Sequence, residues 1–419
     1  MVQIHPFAGV RPAPAQAQAI PSVPYDVVSA PEARAVLAEN PLSFLSVIRS
    51  DADLPGVKPD DDRVYALAGE RFRALLAGGL MLQDPSPGFY IYEVATCDRS
   101  FVGIVTCVDA ADYESGLIRR HEQTRYDKER DRTRHIEAVN ANTGLVFLLY
   151  RDPRGLHARL EQLARSVPVS AEVSMDAGVR HRLHRVDDPS AVEALESAFG
   201  AIDALYIADG HHRAKSAVAV AQARRAAGTA STESERFMAV LFAHERVRLH
   251  GYSRLVTDLG GLTPEAWLRA LRALGTVEPI DGVDAHGFHI PPRTPCTGDR
   301  RVLHMYLPGQ WYELSFPREQ DEGLIRGLDV QFLQDRILDN VLGITDPRGD
   351  PRLQYLGGAK PLTRLTEAVD AGEFAAAFAV QPISIATVLD CADAGLVMPP
   401  KSTWFEPKVL SGFVVHLLD

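Results

Sequence analysis

Asp209-Gly210-His211-His212-Arg213 is the segment whose residue types and order best suit chemistry. It follows the apolar run ALYIA and opens HHRAKSAVAVAQARRAA, so a strand is expected to pass through a glycine turn into a helix. The first N–H groups of a helix have no intrahelical partner, and a cluster of them aimed at one spot attracts phosphate. His212 and Arg213 add donors on the same turn, and a guanidinium matches phosphate oxygens with two parallel bonds. Asp209 stands where it either caps the helix or lies near a phosphate-bound Mg²⁺. His211 and His212 splay by about 100° on a helix, so that pair alone makes no metal site.

Two further stretches carry reactive groups. RRHEQTRYDKERDRTRH, 119 to 135, holds seven Lys/Arg against four Asp/Glu. Much of it reads as a solvated helix face with charges at four-residue spacing, Lys128 with Arg132 and Asp127 with Asp131. Arg119 to Thr124 precedes that helix, where a loop presents His121, Glu122 and Thr124 to a ligand, with Glu122 a candidate general base. In MPPKSTWFEPK, 398 to 408, Lys401, Ser402, Thr403 and Lys408 offer two cations and two hydroxyls between prolines; the plain alternative is a Pro-flanked surface loop. The preceding GLVMPPKS is no Walker A loop, because Pro400 lacks the N–H and the positive φ of the second glycine. Asp26, in PYDV, reads first as a turn former. No G-x-G-x-x-G, H-E-x-x-H, G-x-S-x-G or EF-hand loop occurs.

The elements that must position these groups alternate between strand and helix, which predicts a mixed α/β fold. Ser29 and Glu32 form a capping box before a short helix closed at Asn40-Pro41, and a second helix spans about 60 to 77 with Val64, Leu67, Phe72, Leu75 and Leu76 on one stripe. FYIYEVA and FVGIVTCV predict a hairpin, 127 to 142 a helix and GLVFLLY a buried strand. Residues 204 to 243 read as one βαβ unit with parallel neighbouring strands. Thr263-Pro264-Glu265 opens another helix, and the strand-like end, 409 to 418, has the first sheet as a possible destination. The expected division is 1–245, a phosphate-binding domain with an inserted segment, and 246–419, a C-terminal α/β domain contributing the MPPKSTWFEPK loop.

The chain has 419 residues, a net charge of −11 and 46% hydrophobic residues, so disorder and coiled coil are poor readings. The acidic balance argues against nucleic acid or anionic membrane as a partner. Cys97, Cys107, Cys296 and Cys391 form no C-x-x-C pair and read as buried thiols. No signal or membrane-spanning run is evident, so a cytoplasmic enzyme is expected.

YIADGHHRAKSA is similar to the nucleotide-binding motif of the ParB/sulfiredoxin-like superfamily. The whole chain resembles the family catalogued as domain of unknown function 1015, through PYDVVS at 24 to 29, HEQT at 121 to 124, DR at 131 to 132, ADGHHR at 208 to 213 and MPPKSTWFEPK at 398 to 408. Superfamily relatives include free L-serine kinases that make O-phosphoserine. The resemblance therefore implies a ParB/sulfiredoxin-like core with insertions, and phosphoryl transfer from ADP, ATP or pyrophosphate to the hydroxyl of free L-serine or a similar metabolite, with Mg²⁺. In that scheme Glu122, Asp209 and His211 are catalytic, and Asp209 lies beside the metal. Gly210, His212, Arg213, Lys401, Ser402, Thr403 and Lys408 hold phosphate, and Asp26, His121 and Thr124 face the substrate. The rival is a ParB-like nucleotide-binding regulatory or DNA-associated protein. Sulfiredoxin chemistry would need a cysteine in the 209–213 turn, which has none.

Overall fold

In the computed structural model, which describes residues 1–293, 299–357 and 360–419, the local signals at helix starts act as their chemistry requires. Ser29 accepts the Glu32 amide and the Glu32 carboxylate accepts the Ser29 amide, which opens α1 (Ala30–Glu39). Asp61 caps α2 (Asp62–Ala77), whose buried stripe runs through Val64, Ala68, Phe72 and Leu75. Two further helices matter for the site, α3 (Tyr126–Val139) and α4 (His211–Ala227). The fold is mixed α/β, and its contacts divide it into one unit of Met1–Val247 with Pro407–Asp419 and another of Arg248–Glu406.

The first unit is built on nine strands: β1 (Ile4–His5), β2 (Phe89–Ala95), β3 (Ser100–Asp109), β4 (Ile118–Arg119), β5 (Val146–Tyr150), β6 (Ala171–Ser174), β7 (Arg180–Val186), β8 (Leu205–Asp209) and β9 (Arg236–Ala243). Their order is β4-β8-β5-β9-β3-β2-β7-β6, with β1 paired to β3. β2 and β3 form the expected antiparallel hairpin. The expectation for 204 to 243 needs correcting: β8 and β9 are neither neighbours nor parallel. β5 lies between them, antiparallel to β8 and parallel to β9. Every residue of β5 is buried, as suits a strand with ladders on both edges. Periodicity within 204 to 243 carries no information about a strand that arrives from outside it.

One apolar cluster joins Leu148, Ile207 and Leu241 of the sheet to Ala214, Val218 and Ala221 of α4. A second gathers Leu37 of α1, Phe72 of α2, Phe44, Val139 and Val415. α3 packs on both α2 and α4 and buries His135, Ile136 and Val139. Its ion pairs do not follow four-residue spacing, because it is wedged between helices: Arg132 pairs with adjacent Asp131, and Arg134 with Asp62 of α2. Cys107 and Cys391 are buried as read, but Cys97 is exposed in the β2–β3 turn; Cys296 lies outside the described residues.

The second unit holds an antiparallel sheet of β10 (Tyr252–Val256), β11 (Thr276–Ile280), β12 (Arg300–Leu307), β13 (Gln310–Pro317), β14 (Leu353–Gly357) and β15 (Ala376–Ala379), in the order β11-β13-β12-β15-β10-β14. Thr263 caps the helix Pro264–Arg272 through the Ala266 amide. Trp404–Glu406 pairs with Arg248–His250. Among the described residues no helix is long and apolar enough to cross a membrane.

Candidate active site

β8 ends at Asp209 and α4 begins at His211, with Gly210 between them at φ 94°. A Cβ at Gly210 would be strained there and would stand 3.1 Å from Cζ and Nε of Arg213, so glycine is what lets the arginine fold back over the turn. The β8–β5 register also shifts between Ile207 and Asp209, an irregularity of the kind that re-aims a side chain at a strand end. Gly210, not Asp209, occupies the N-cap, and no side chain caps α4. The capping role of Asp209 is thus not realised, because its carboxylate is engaged elsewhere: Oδ2 lies 2.9 Å from Lys408 Nζ and Oδ1 3.4 Å from Arg213 Nη2. Burial pushes the Asp209 carboxyl up, but Lys408 and Arg213 outweigh it and hold the group well below the usual carboxylate range.

Arg213 is fixed from behind by a hydrogen bond from Nη1 to the Leu145 carbonyl. Burial opposes its charge, yet Asp209, Asp26 and Tyr25 prevail and raise its pKa. Asp26 is exposed in the Pro24–Val27 turn, and its charge acts on both Arg213 and His212.

β4 runs parallel to β8, which carries the following loop to the start of α4. His121 and His211 meet edge to face with ring centroids 4.7 Å apart, both buried. Burial pushes His121 down to about 4 and holds His211 well below its ordinary value, so both rings are neutral at pH 7. Glu122 Oε2 stands 3.9 Å from His211 Nδ1, adjacent but beyond hydrogen-bond length. His211 Nε2 is buried with no hydrogen-bond partner among the described residues. His212 accepts the Arg125 amide through Nε2 at 2.9 Å and so ties the loop to the helix; Thr124 Oγ1 reaches Glu129 Oε2 at 3.4 Å.

The 398–408 stretch is divided between the units. Lys408 belongs to the first, while Lys401, Ser402 and Thr403 belong to the second. There Lys401 has a left-handed φ of 55° and its Nζ lies 5.2 Å from the Tyr252 ring centroid, and the buried Ser402 hydroxyl donates to the Pro399 carbonyl at 2.7 Å.

The donor set at Asp209 does not fit a protein-held Mg²⁺, since both carboxylate oxygens already face cations. Among the described residues the cluster with three metal-ligating side chains is Cys107, Glu233 and His416, three strands across the sheet from β8, and its thiol and imidazole suit softer ions than magnesium. The Asp209 turn instead brings the Arg213 guanidinium and the Lys408 ammonium to the start of a helix, donors of the chemical kind from which phosphate accepts.

Sequence reasoning missed the neighbours of Arg213. Tyr25, Arg132, Thr143, Gly144 and Ser411 share a cleft with it, and the Arg132 guanidinium lies 4.3 Å from the Tyr25 ring centroid. The available signal was that PYDVVS and DR are among the segments that carry the family resemblance, while Tyr25 and Arg132 within them were given no task.

A family model described as a protein of unknown function (DUF1015) matches residues 4–331. No curated protein matches the sequence. Among solved structures the chain is similar to a conserved hypothetical protein from Pyrococcus furiosus, at 14% identity over 72% of this chain and 90% of that one, with TM-score 0.35. It is also similar to a free serine kinase in complex with AMP, at 13% identity over 72% and 87% with TM-score 0.35. A third is C-terminally truncated SbnI from Staphylococcus aureus, at 12% identity over 73% and 85% with TM-score 0.35. Likenesses this distant say nothing about the site.

Proposed function

We propose that this chain, which belongs to the DUF1015 family, is a small-molecule kinase that transfers a phosphoryl group from ADP, ATP or pyrophosphate to the hydroxyl of a small metabolite, free L-serine first among them. The observation that carries this reading is the gathering of Asp209, Arg213 and Lys408 with Glu122 and His211 at one helix start. Phosphoryl transfer asks little covalent help of a protein; it asks for in-line placement and cancellation of charge.

The residues divide accordingly. The first-turn amides of α4, Arg213 and Lys408 neutralise the donor's phosphate oxygens, and Asp209 holds both cations in place. Glu122 takes the proton of the acceptor hydroxyl as its oxygen bonds to phosphorus and the bond from phosphorus to the donor oxygen breaks. His211, neutral beside Glu122, is a positioning residue rather than an acid. His212 and Thr124 hold the loop that presents Glu122, and His121 walls it. Magnesium enters only as the counter-ion of the donor phosphates, and no step is routed through a protein-held ion.

The test is incubation with L-serine, Mg²⁺ and each donor, followed by ³¹P NMR. A new phosphomonoester resonance that co-migrates with O-phosphoserine is expected. Failure of every donor to phosphorylate any member of a panel of hydroxylated amino acids and hydroxy acids overturns the reading.

A further inference from the structure

The cleft beside the Asp209 turn is assembled from segments far apart in the chain: Tyr25 from the first turn, Arg132 from α3, Thr143 and Gly144 from the loop before β5, Arg213 from α4 and Ser411 from the C-terminal stretch. Its walls are rich in donors that the fold does not use. Asn142, also on the wall, accepts the Met238 amide through Oδ1 and has its Nδ2 buried without a partner among the described residues. Thr143 and Ser411 are buried residues whose hydroxyls also stand at this opening. Arg132 bonds Asp131 through Nε and Nη2, which leaves Nη1 over. Buried polar groups in folded proteins nearly always find partners, so the buried Asn142 amide nitrogen, with two hydroxyls and a guanidinium beside it at one opening, calls for an acceptor-rich occupant. Gly144 keeps the opening clear: a Cβ there would stand 3.3 Å from Arg213 Cδ and 3.6 Å from Ser411 Oγ.

Charge narrows the class. Arg132 and Arg213 are the cations on the wall, and each already faces a carboxylate, Asp131 or Asp209, so the cleft has room for little further negative charge. His135, on the wall, adds none, because burial pushes it down to about 3. A polyphosphate would overload this cleft, whereas one carboxylate would balance it. Asp26, exposed next to Tyr25 and felt by Arg213, is the countercharge that an α-ammonium group would meet.

We propose that the cleft between Tyr25, Arg132 and Arg213 holds the carboxylate of a free hydroxylated α-amino acid, with Asp26 facing its ammonium group. This assignment rests on the kinase reading for the identity of the bound molecule as phosphoryl acceptor, and Arg213 is the residue shared between the cleft and the phosphate turn.

Binding can be tested without catalysis. Equilibrium dialysis of the full chain against L-serine, L-serinamide and glycolate separates the two charges of the probe. L-Serine should bind at least tenfold more tightly than either analogue, and Arg132→Gln should weaken L-serine at least tenfold while ATP affinity stays within twofold. Thr143→Val, which removes a wall hydroxyl without changing charge, should weaken L-serine about threefold or more and serves should Arg132→Gln fail to fold. Equal binding of L-serine and L-serinamide, loss of ATP affinity in step with L-serine, or no binding of any of these probes overturns the assignment. Arg132-dependent binding of L-serine with no phosphoryl transfer from any donor would instead overturn the kinase reading and leave the carboxylate cleft standing.

Discussion

Lys408 Nζ lies 2.9 Å from Asp209 Oδ2, although 199 positions separate the two residues. The C-terminal stretch from Pro407 rejoins the first unit and completes the charge set of a turn that was laid down at the end of β8. Asp209 stands between an ammonium and a guanidinium, and that arrangement makes several outcomes predictable.

Asp209→Asn and Lys408→Met should each destabilise the fold, and the double mutant should lose less than the sum. A coupling of about 0.5–1.5 kcal/mol is expected for a partly exposed pair of this kind. Because the folded carboxyl is held below its ordinary range, this stability is fully present above the unfolded pKa of about 3.9 and disappears only as pH falls through the folded value. Urea unfolding cycles at pH 5 and pH 8 should therefore return the same coupling; strict additivity at both would dissolve the pair.

Arg213 is both clamp and brace, since its side chain carries the bond to the Leu145 carbonyl. Replacing it with alanine does not leave the fold untouched, as a purely phosphate-facing residue would: a cost of about 1–3 kcal/mol is expected from the stranded carbonyl. Arg213→Lys keeps the charge but not the paired donors, and should lower kcat/KM at least about 100-fold with a smaller stability change. Turnover by Arg213→Lys within threefold of wild type would remove the arginine from the phosphate site.

Glu122→Gln should reduce kcat by about 10²–10⁴-fold, the range of general-base contributions. The side chain is 35% exposed, so the melting temperature should hardly move. A kcat within threefold of wild type would exclude Glu122 as the base.

Gly210→Ala forces a side chain into the left-handed region and against Arg213. A stability loss of about 1–2 kcal/mol is expected from the backbone alone, accompanied by weakened binding of the phosphoryl donor. Calorimetry with ATP checks both effects on one sample.

Acid should unfold the first unit through its buried imidazoles. Burial pushes His121 and His181 down to about 4 and His135 to about 3, whereas the unfolded side chains titrate near 6.5. Between those values the unfolded state binds more protons, so stability falls as pH falls below about 6.5. Each imidazole should remove about 1 kcal/mol between pH 6.5 and 5.5. Denaturant titrations across that interval should show this slope, and His135→Asn should flatten it by one imidazole's share, about 1 kcal/mol.

Features that close within a few residues are legible locally. The Ser29–Glu32 capping box, the β2–β3 hairpin, the buried stripe of α2 and the strand-turn-helix at Asp209 to Arg213 all depend on hydrogen bonds or periodicities of that short range. Glycine at 210 belongs to the same class, because a positive φ is a property of one residue and its neighbours.

Other features depend on which distant segment arrives. β5 slips between β8 and β9, Asp209 exchanges a cap for two cations, and Lys408 parts from Lys401, Ser402 and Thr403 at the unit boundary. Arg132 meets Tyr25 face-on instead of lying on a solvated helix surface. Charge and hydrophobicity state that a side chain needs a partner but carry no address for it. The sequence by itself therefore determined the capping box, the hairpin and the strand-turn-helix at 209–213; the order of strands and the company kept by Asp209, Arg132 and Arg213 were decided only when long-range packing selected one partner from many chemically equivalent ones.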